Sequence, residues 1–402
     1  MEILNGKTID EQLTLTNSRS SGFDYLRIVL SVSVIAYHSF EVCYGPGIFK
    51  SVGVSPFRFL VGFILPSFFC LSGFLVAGSM LRVKDLLSFY ALRGMRIFPA
   101  LAVEVLLSAL IIGPLLTVIP VGQYFSSPMF FFYFLNVLGD IHFYLPGLFV
   151  TNPMPAVNAQ LWTIPYELEC YVLIGLAAFF GLLKRRRAFV WAVIGLTVAT
   201  YSWRILRHGL PTNFTIATGQ ALAIAFLVGV AFYLYRDKVR LNPILFAASV
   251  AIYCILLPFP AAALLLPFPA GYMTVYLGLT NPPKIGLLKS GDYSYGLYLY
   301  GYPVQQVVSQ LLPQYRFWYV NLALSLLIAG AVAYCSWTFV ESKILGHKKL
   351  IIARLEGMRA ALIGFVRPAF RRMGIAERPR LAVAPAAVSP DADASVANET
   401  RG

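Results

Sequence analysis

Apolar runs of about 20 residues, the length that crosses a bilayer as a helix, recur along the chain from Leu26 to Phe339. They predict helices over residues 24–43, 57–80, 93–118, 161–183, 188–206, 214–235, 243–258, 260–279, 293–312 and 317–342. The stretch 119–160 breaks this rhythm. A short aromatic run from Met129 to Leu138 gives way to Pro146, Asn152, Pro153 and Pro155, too short and too interrupted for a span. The pattern reads as a mobile polar segment over residues 1–22, a multi-span membrane domain over 23–344, and a tail over 345–402. The tail is basic and helix-friendly over 348–372, suited to an anionic leaflet. From Pro379 onward its Ala, Pro, Val, Ser and Asp predict disorder.

Composition supports the membrane reading. Hydrophobic residues make up 58% and charged residues 12%, against about 25% charged in a soluble domain. The net charge of +14 would suit nucleic acid, but the basic residues cluster in short loops, which points to topology instead. One cluster is Arg82, Lys84, Arg93 and Arg96; the second is Lys184 to Arg187; the third is Arg236, Lys238 and Arg240; the last begins with Lys343, Lys348 and Lys349. All fall on one side of the membrane if 119–160 is a re-entrant or surface excursion. The fold expected is an all-α integral membrane protein of about ten transmembrane helices with both termini cytoplasmic. Arg204 and Arg207 then land on the outer side. The first apolar run is long enough to span, so no cleavable signal peptide is expected. Cys43, Cys70, Cys170, Cys254 and Cys335 are far apart and read as small buried residues, neither a disulfide framework nor a metal site. No P-loop, no His-rich metal cluster and no G-x-S-x-G elbow occurs.

Charged groups in hydrocarbon are costly and mark function or partnership. Arg27 and His38 lie eleven residues apart, three helical turns plus roughly 20°, so they share a stripe with an axial gap of roughly 16 Å. A neutral imidazole there suits a general base; snorkelling by Arg27 and a helix–helix hydrogen bond by His38 fit the same pattern. Arg93 and Arg96, at i and i+3, suit phosphate recognition or plain anchoring at the cytoplasmic boundary. In the phrase Trp162-Thr-Ile-Pro-Tyr-Glu167, Thr163 is positioned to cap a helix that Pro165 starts. Glu167 and Tyr171 then meet at i, i+4, to hold a sugar hydroxyl or tune a base, or simply to face interfacial water. Glu104 is a further buried acid with no partner readable from the sequence. The tyrosines from Asp292 to Pro303 suit either sugar stacking or an interfacial belt.

Together these residues resemble the membrane-bound acyltransferase 3 family, which includes O-acyltransferases of O-antigen, exopolysaccharide and nodulation factors. Arg27 and His38 match its opening Arg-x10-His signature, and Ser72-Gly-Phe its second-span phrase. Arg93-Gly-Met-Arg96 matches R-x-x-R. Trp162-Thr-Ile-Pro-Tyr-Glu167 with Tyr171 is similar to its W-S-L-x-x-E-x-x-F-Y phrase, Tyr293 to Tyr300 to its late S-Y-x-x-Y-L phrase, and Val340-Glu341 to its closing element. Gly301 stands where many members carry a His, Thr163 where Ser is usual and Cys170 where Phe is usual.

The resemblance implies a multi-pass protein of the bacterial cytoplasmic (inner) membrane. No cofactor is held permanently. Acyl-CoA, with acetyl-CoA as the default, serves as co-substrate, and a hydroxyl on an envelope or exported saccharide is the acceptor. Membrane lipid surrounds the chain, and no nucleic-acid partner or metal is implied. Arg93 and Arg96 would hold donor phosphates. Arg27 would orient the donor or stabilise charge on the thioester oxygen. His38 would act as general base or as a transient acyl carrier, with Glu167 and Tyr171 positioning the sugar or His38. Some members carry a soluble extracytoplasmic esterase-like domain, and no such domain is expected here. The competing class is a transporter or flippase of a saccharide or lipid-linked precursor. The absence of a detectable internal repeat counts against that class. A structural or sensory protein would leave the Arg27–His38 stripe unexplained.

Overall fold

A helix stands at every predicted apolar run, and several boundaries have a local cause. The computed structural model describes residues 6–48, 55, 57–83, 85–210, 218–286 and 291–358. Its helices are α1 (Ile9–Leu15), α2 (Ser21–Tyr44), α3 (Arg58–Arg82), α4 (Leu86–Leu116), α5 (Val121–Ser126), α6 (Pro128–Tyr133), α7 (Ile164–Phe179), α8 (Arg186–His208), α9 (Gly219–Leu234), α10 (Pro243–Leu256), α11 (Pro267–Leu279), α12 (Ser294–Leu311) and α13 (Trp318–Gly346). No strand occurs among the described residues, where Thr8 and Arg240 form an isolated bridge. Residues 1–352 form one compact unit and 353–402 a second, of which the described part is helical. Lys84 and the tail beyond Met358, with its expected disorder, lie outside the described residues.

Five of these helices, α2, α3, α4, α8 and α13, are long and apolar enough to cross a membrane. Others are cut short by turn chemistry. Gly181, at φ +72°, closes the end of α7 after Phe179. Pro260 and Pro267 delay α11, so the run predicted from residue 260 opens with a 3₁₀ turn at Pro260–Ala262 and becomes α-helical only at Pro267. Conversely, α4 begins seven residues before the predicted 93, because the Asp85 carboxylate accepts from Ser88 N and caps it. The 119–160 stretch holds only the short helices α5 and α6 and 3₁₀ turns around irregular chain. Glu104, fully buried, finds partners here. Its Oε1 accepts from Ser108 Oγ at 2.9 Å and lies 3.5 Å from the Tyr133 hydroxyl on α6.

Residues expected in a mobile N-terminal segment instead carry α1. Thr8 and Glu11 form a reciprocal capping box, and Ile9 is fully buried. Backbone bonds from Gly6 and Ile9 to Leu241 and Val239, with an Asp10–Arg236 ion pair, dock the segment on the α9–α10 loop. Charge on α1's outer face hid its buried side in the polar composition.

The centre is built on a close crossing of α3 and α9. A Cβ at Gly73 would strike the backbone of Phe226, and one at Gly229 would strike the backbone of Cys70. Small residues at both contacts let the two backbones touch, the usual device where lipid supplies no hydrophobic drive between helices. Outward faces are apolar: Leu206, Ile244, Leu327 and Phe179 are all exposed, as lipid contact requires. Cys43, Cys70 and Cys170 are buried as expected, but Cys254 and Cys335 face outward; all five are free thiols. The last two sit on helix faces that no neighbour covers, where a small apolar side chain suits lipid equally well.

Candidate active site

A cavity of about 140 Å³ opens where α2, α3, α4, α7 and α12 converge. Five of the six residues to which the family resemblance gives a catalytic or binding role line it: Arg27, Arg93, Arg96, Glu167 and Tyr171. Phe68 and Ser72 from α3, Thr163, and Tyr295 and Tyr298 from α12 complete its polar and aromatic wall. Ser72 faces the cavity, Gly73 makes the helix crossing and Phe74 is fully buried in the core, so the Ser-Gly-Phe phrase is one helical turn facing three ways.

The arginines are not equivalent. Asp292, just before α12, binds two of them through one oxygen: Arg27 Nη1 at 3.0 Å and Arg96 Nη2 at 2.6 Å. Its other oxygen accepts from Ser294 Oγ at 2.6 Å. Burial works against charge on Asp292, but Arg96 and Arg27 outweigh it and hold the carboxyl well below the usual carboxylate range. Asp292 thereby ties α2 and α4 to the start of α12. Arg93 has no ion pair among the described residues. Its Nη2 donates to Ser79 Oγ at a long 3.3 Å, its guanidinium stands 5.9 Å from the Phe89 ring centre, and its Nε is buried without a partner. Arg93 therefore keeps the most unused capacity for an anion. Across the cavity Tyr171 donates to Glu167 Oε1 at 2.5 Å, the i, i+4 contact the sequence predicted.

Thr163 does not cap α7. Its hydroxyl instead stands 2.5 Å from the Tyr298 hydroxyl and 3.3 Å from Gln160 O. The 3₁₀ turn Ala159–Thr163 already supplies the helical entry, which frees Thr163 to brace the cavity wall.

His38 does not line the cavity. It sits further along α2, its Nδ1 2.7 Å from Glu41 Oε2, with the rings of Tyr37 and Tyr302 edge-on at 5.2 and 5.0 Å. Its side chain is 12% exposed. Tyr302 follows Tyr298 by one turn of α12, so successive tyrosines link the cavity wall to the His38 chamber. Gln305 ties the two helices at that level, donating to Ile35 O and Ser39 Oγ at 2.7 Å.

Sequence reasoning missed the roles of Asp292, Tyr298 and Glu41. Glu41 carried a readable signal: an acid three residues after a histidine lies one turn away on a helix. The pairing of Asp292 with Arg27 spans 265 positions and has no local signal.

An acyltransferase-domain family model matches residues 20–341, most of the chain and every element of this site. The chain is 28% identical over 344 residues to an O-acetyl transferase of Shigella phage Sf6, covering 81% of this chain and 96% of that protein. It is also 28% identical over 383 residues to Nodulation protein 10 of Rhizobium leguminosarum bv. viciae, covering 84% and 98%. No solved structure matches it significantly. Six sequence phrases in order, residues from five of them around one cavity and a family match over that whole region agree: the chain is an acyl-transferring enzyme of the acyltransferase 3 family.

Proposed function

We propose that the protein is a multi-pass O-acyltransferase of the bacterial inner membrane, moving an acyl group, acetyl by default, from cytoplasmic acyl-CoA to a hydroxyl of a cell-envelope or exported saccharide. One observation carries the reading: arginines from two separate helices face one cavity, and the helix that supplies one of them also carries His38 about 16 Å further along. Cations at the cavity suit the phosphates of a CoA donor. An imidazole beyond it suits activation of a hydroxyl. The name of one relative, an O-acetyl transferase, agrees with an acetyl group moving to an oxygen.

In this reading about ten helices cross the membrane, both termini are cytoplasmic, and residues 119–160 make a re-entrant or surface excursion. The acyltransferase domain occupies 23–344, with a basic tail after it. Arg93 is the principal phosphate contact, with Arg96 beside it. Arg27, held by Asp292, orients the donor. Glu167 and Tyr171 position the reacting groups, and His38 takes the acceptor's proton.

The test uses membrane vesicles holding the protein, labelled acetyl-CoA or succinyl-CoA, and envelope saccharide. Label should enter the saccharide in alkali-labile ester form. Saccharide crossing the membrane with no label transferred from either donor would sink the reading and favour a transporter.

A further inference from the structure

We infer that Glu41 is the positioning residue of the reaction, fixing which nitrogen of His38 meets the acceptor hydroxyl. The inference rests on the reading of His38 as the base. His38 Nδ1 lies 2.7 Å from Glu41 Oε2. A carboxylate only accepts hydrogen bonds, so the proton of the neutral imidazole belongs on Nδ1. That leaves the lone pair on Nε2, the nitrogen not engaged by Glu41.

The surroundings make the pair specific. Glu41 is buried at 5% exposure, and His38 is its only ion-pair partner among the described residues. A buried carboxylate needs a hydrogen-bonded partner, and no Lys or Arg lies within ion-pair distance of Glu41 among the described residues. Tyr37 and Tyr302 hold the imidazole ring edge-on from two helices, and Gln305 ties those helices on either side of the histidine through Ile35 and Ser39. Ring orientation and tautomer are therefore set before substrate arrives.

The step balances. Nε2 takes the acceptor hydroxyl proton as the oxygen attacks the thioester carbonyl carbon. The C–O bond forms, the C–S bond breaks, and the electron pair leaves with sulfur. The proton held on Nε2 is then released to the thiolate, giving ester and free CoA. During the step Nδ1–H stays on His38, bonded to Glu41, and the carboxylate faces the transient imidazolium.

The test compares Glu41→Gln, His38→Ala and the double variant in vesicles, with rates normalised to acyl-CoA binding so that misfolded protein is not counted. A glutamine amide can donate to Nδ1 and so stabilise the wrong tautomer. The kcat of Glu41→Gln should fall by roughly 10²- to 10⁴-fold, with KM for acyl-CoA unchanged. The double variant should be no slower than His38→Ala, because a residue acting only through His38 has nothing left to act on. Glu41→Asp keeps an acceptor-only carboxylate and should exceed Glu41→Gln. A Glu41→Gln enzyme near the wild-type rate, beside an inactive His38→Ala, overturns the role of Glu41 and leaves the proposed function standing. A double variant slower than His38→Ala shows an independent structural role and also overturns it. Full activity in His38→Ala overturns both the base assignment and this inference.

Discussion

The arginine cavity and the His38 chamber share α2 yet differ in nearly every physical respect. Around the cavity, Arg27, Arg93 and Arg96 outnumber the acids Asp292 and Glu167, and there is free space for a ligand. Around His38 there is one acid, two aromatic edges and a side chain only 12% exposed. Charge surplus with free space suits holding an anionic donor. A pre-paired imidazole in a tight chamber suits moving one proton. A stripe of polar residues on one helix thus meets two different surroundings, set by what the other helices place against it.

Kinetics should divide along the same line. The largest effect belongs to the chamber: His38→Ala should lower kcat by roughly 10⁴-fold, at least as far as Glu41→Gln, while binding acyl-CoA normally, measured as label transfer per bound donor. Next is the clamp. Asp292→Ala leaves the Arg27 and Arg96 charges without their shared carboxylate, and should cost about 3 kcal/mol of stability, seen as a lowered midpoint of thermal unfolding in detergent. Asp292→Asn should be milder, because it still accepts a hydrogen bond from either arginine.

Clamp and cavity were not equally legible in the sequence. Arg27, Arg93, Arg96, Glu167 and Tyr171 could be read because local spacing on a helix decides their faces and the family phrases name them. Asp292 stood in view at the head of a tyrosine-rich helix, but its choice of Arg27 and Arg96 is made in space, across separate helices. Thr163 had the sequence of a cap and became a wall brace, since the preceding 3₁₀ turn removed the need for one. For the fold, apolar period located the helices, while Asp85, Gly181, Pro260 and Pro267 set where they start and stop. The N-terminal helix was hidden because its buried side is only Ile9, Gln12 and Leu13.

Smaller effects sharpen the contrast within the cavity. Arg93→Ala removes the arginine with unused capacity and should raise KM for acyl-CoA by about 10-fold, with kcat little changed, as loss of one charge-assisted hydrogen bond predicts. Gly73→Ala drives a methyl group into the backbone of Phe226. It should cost about 1–3 kcal/mol through overpacking, visible in thermal unfolding, and should widen the α3–α9 crossing that supports the cavity. Tyr171→Phe deletes a single hydrogen bond to Glu167 and should cost about 1 kcal/mol, a several-fold drop in kcat/KM.

The division of labour is tested most directly by equilibrium binding of labelled acetyl-CoA to purified His38→Ala and Arg93→Ala proteins, read beside their transfer rates. His38→Ala should bind with wild-type affinity and transfer orders of magnitude more slowly, and Arg93→Ala should bind more weakly yet transfer at near wild-type rate with saturating donor. Equal loss of affinity in both, or wild-type affinity in Arg93→Ala, would contradict it.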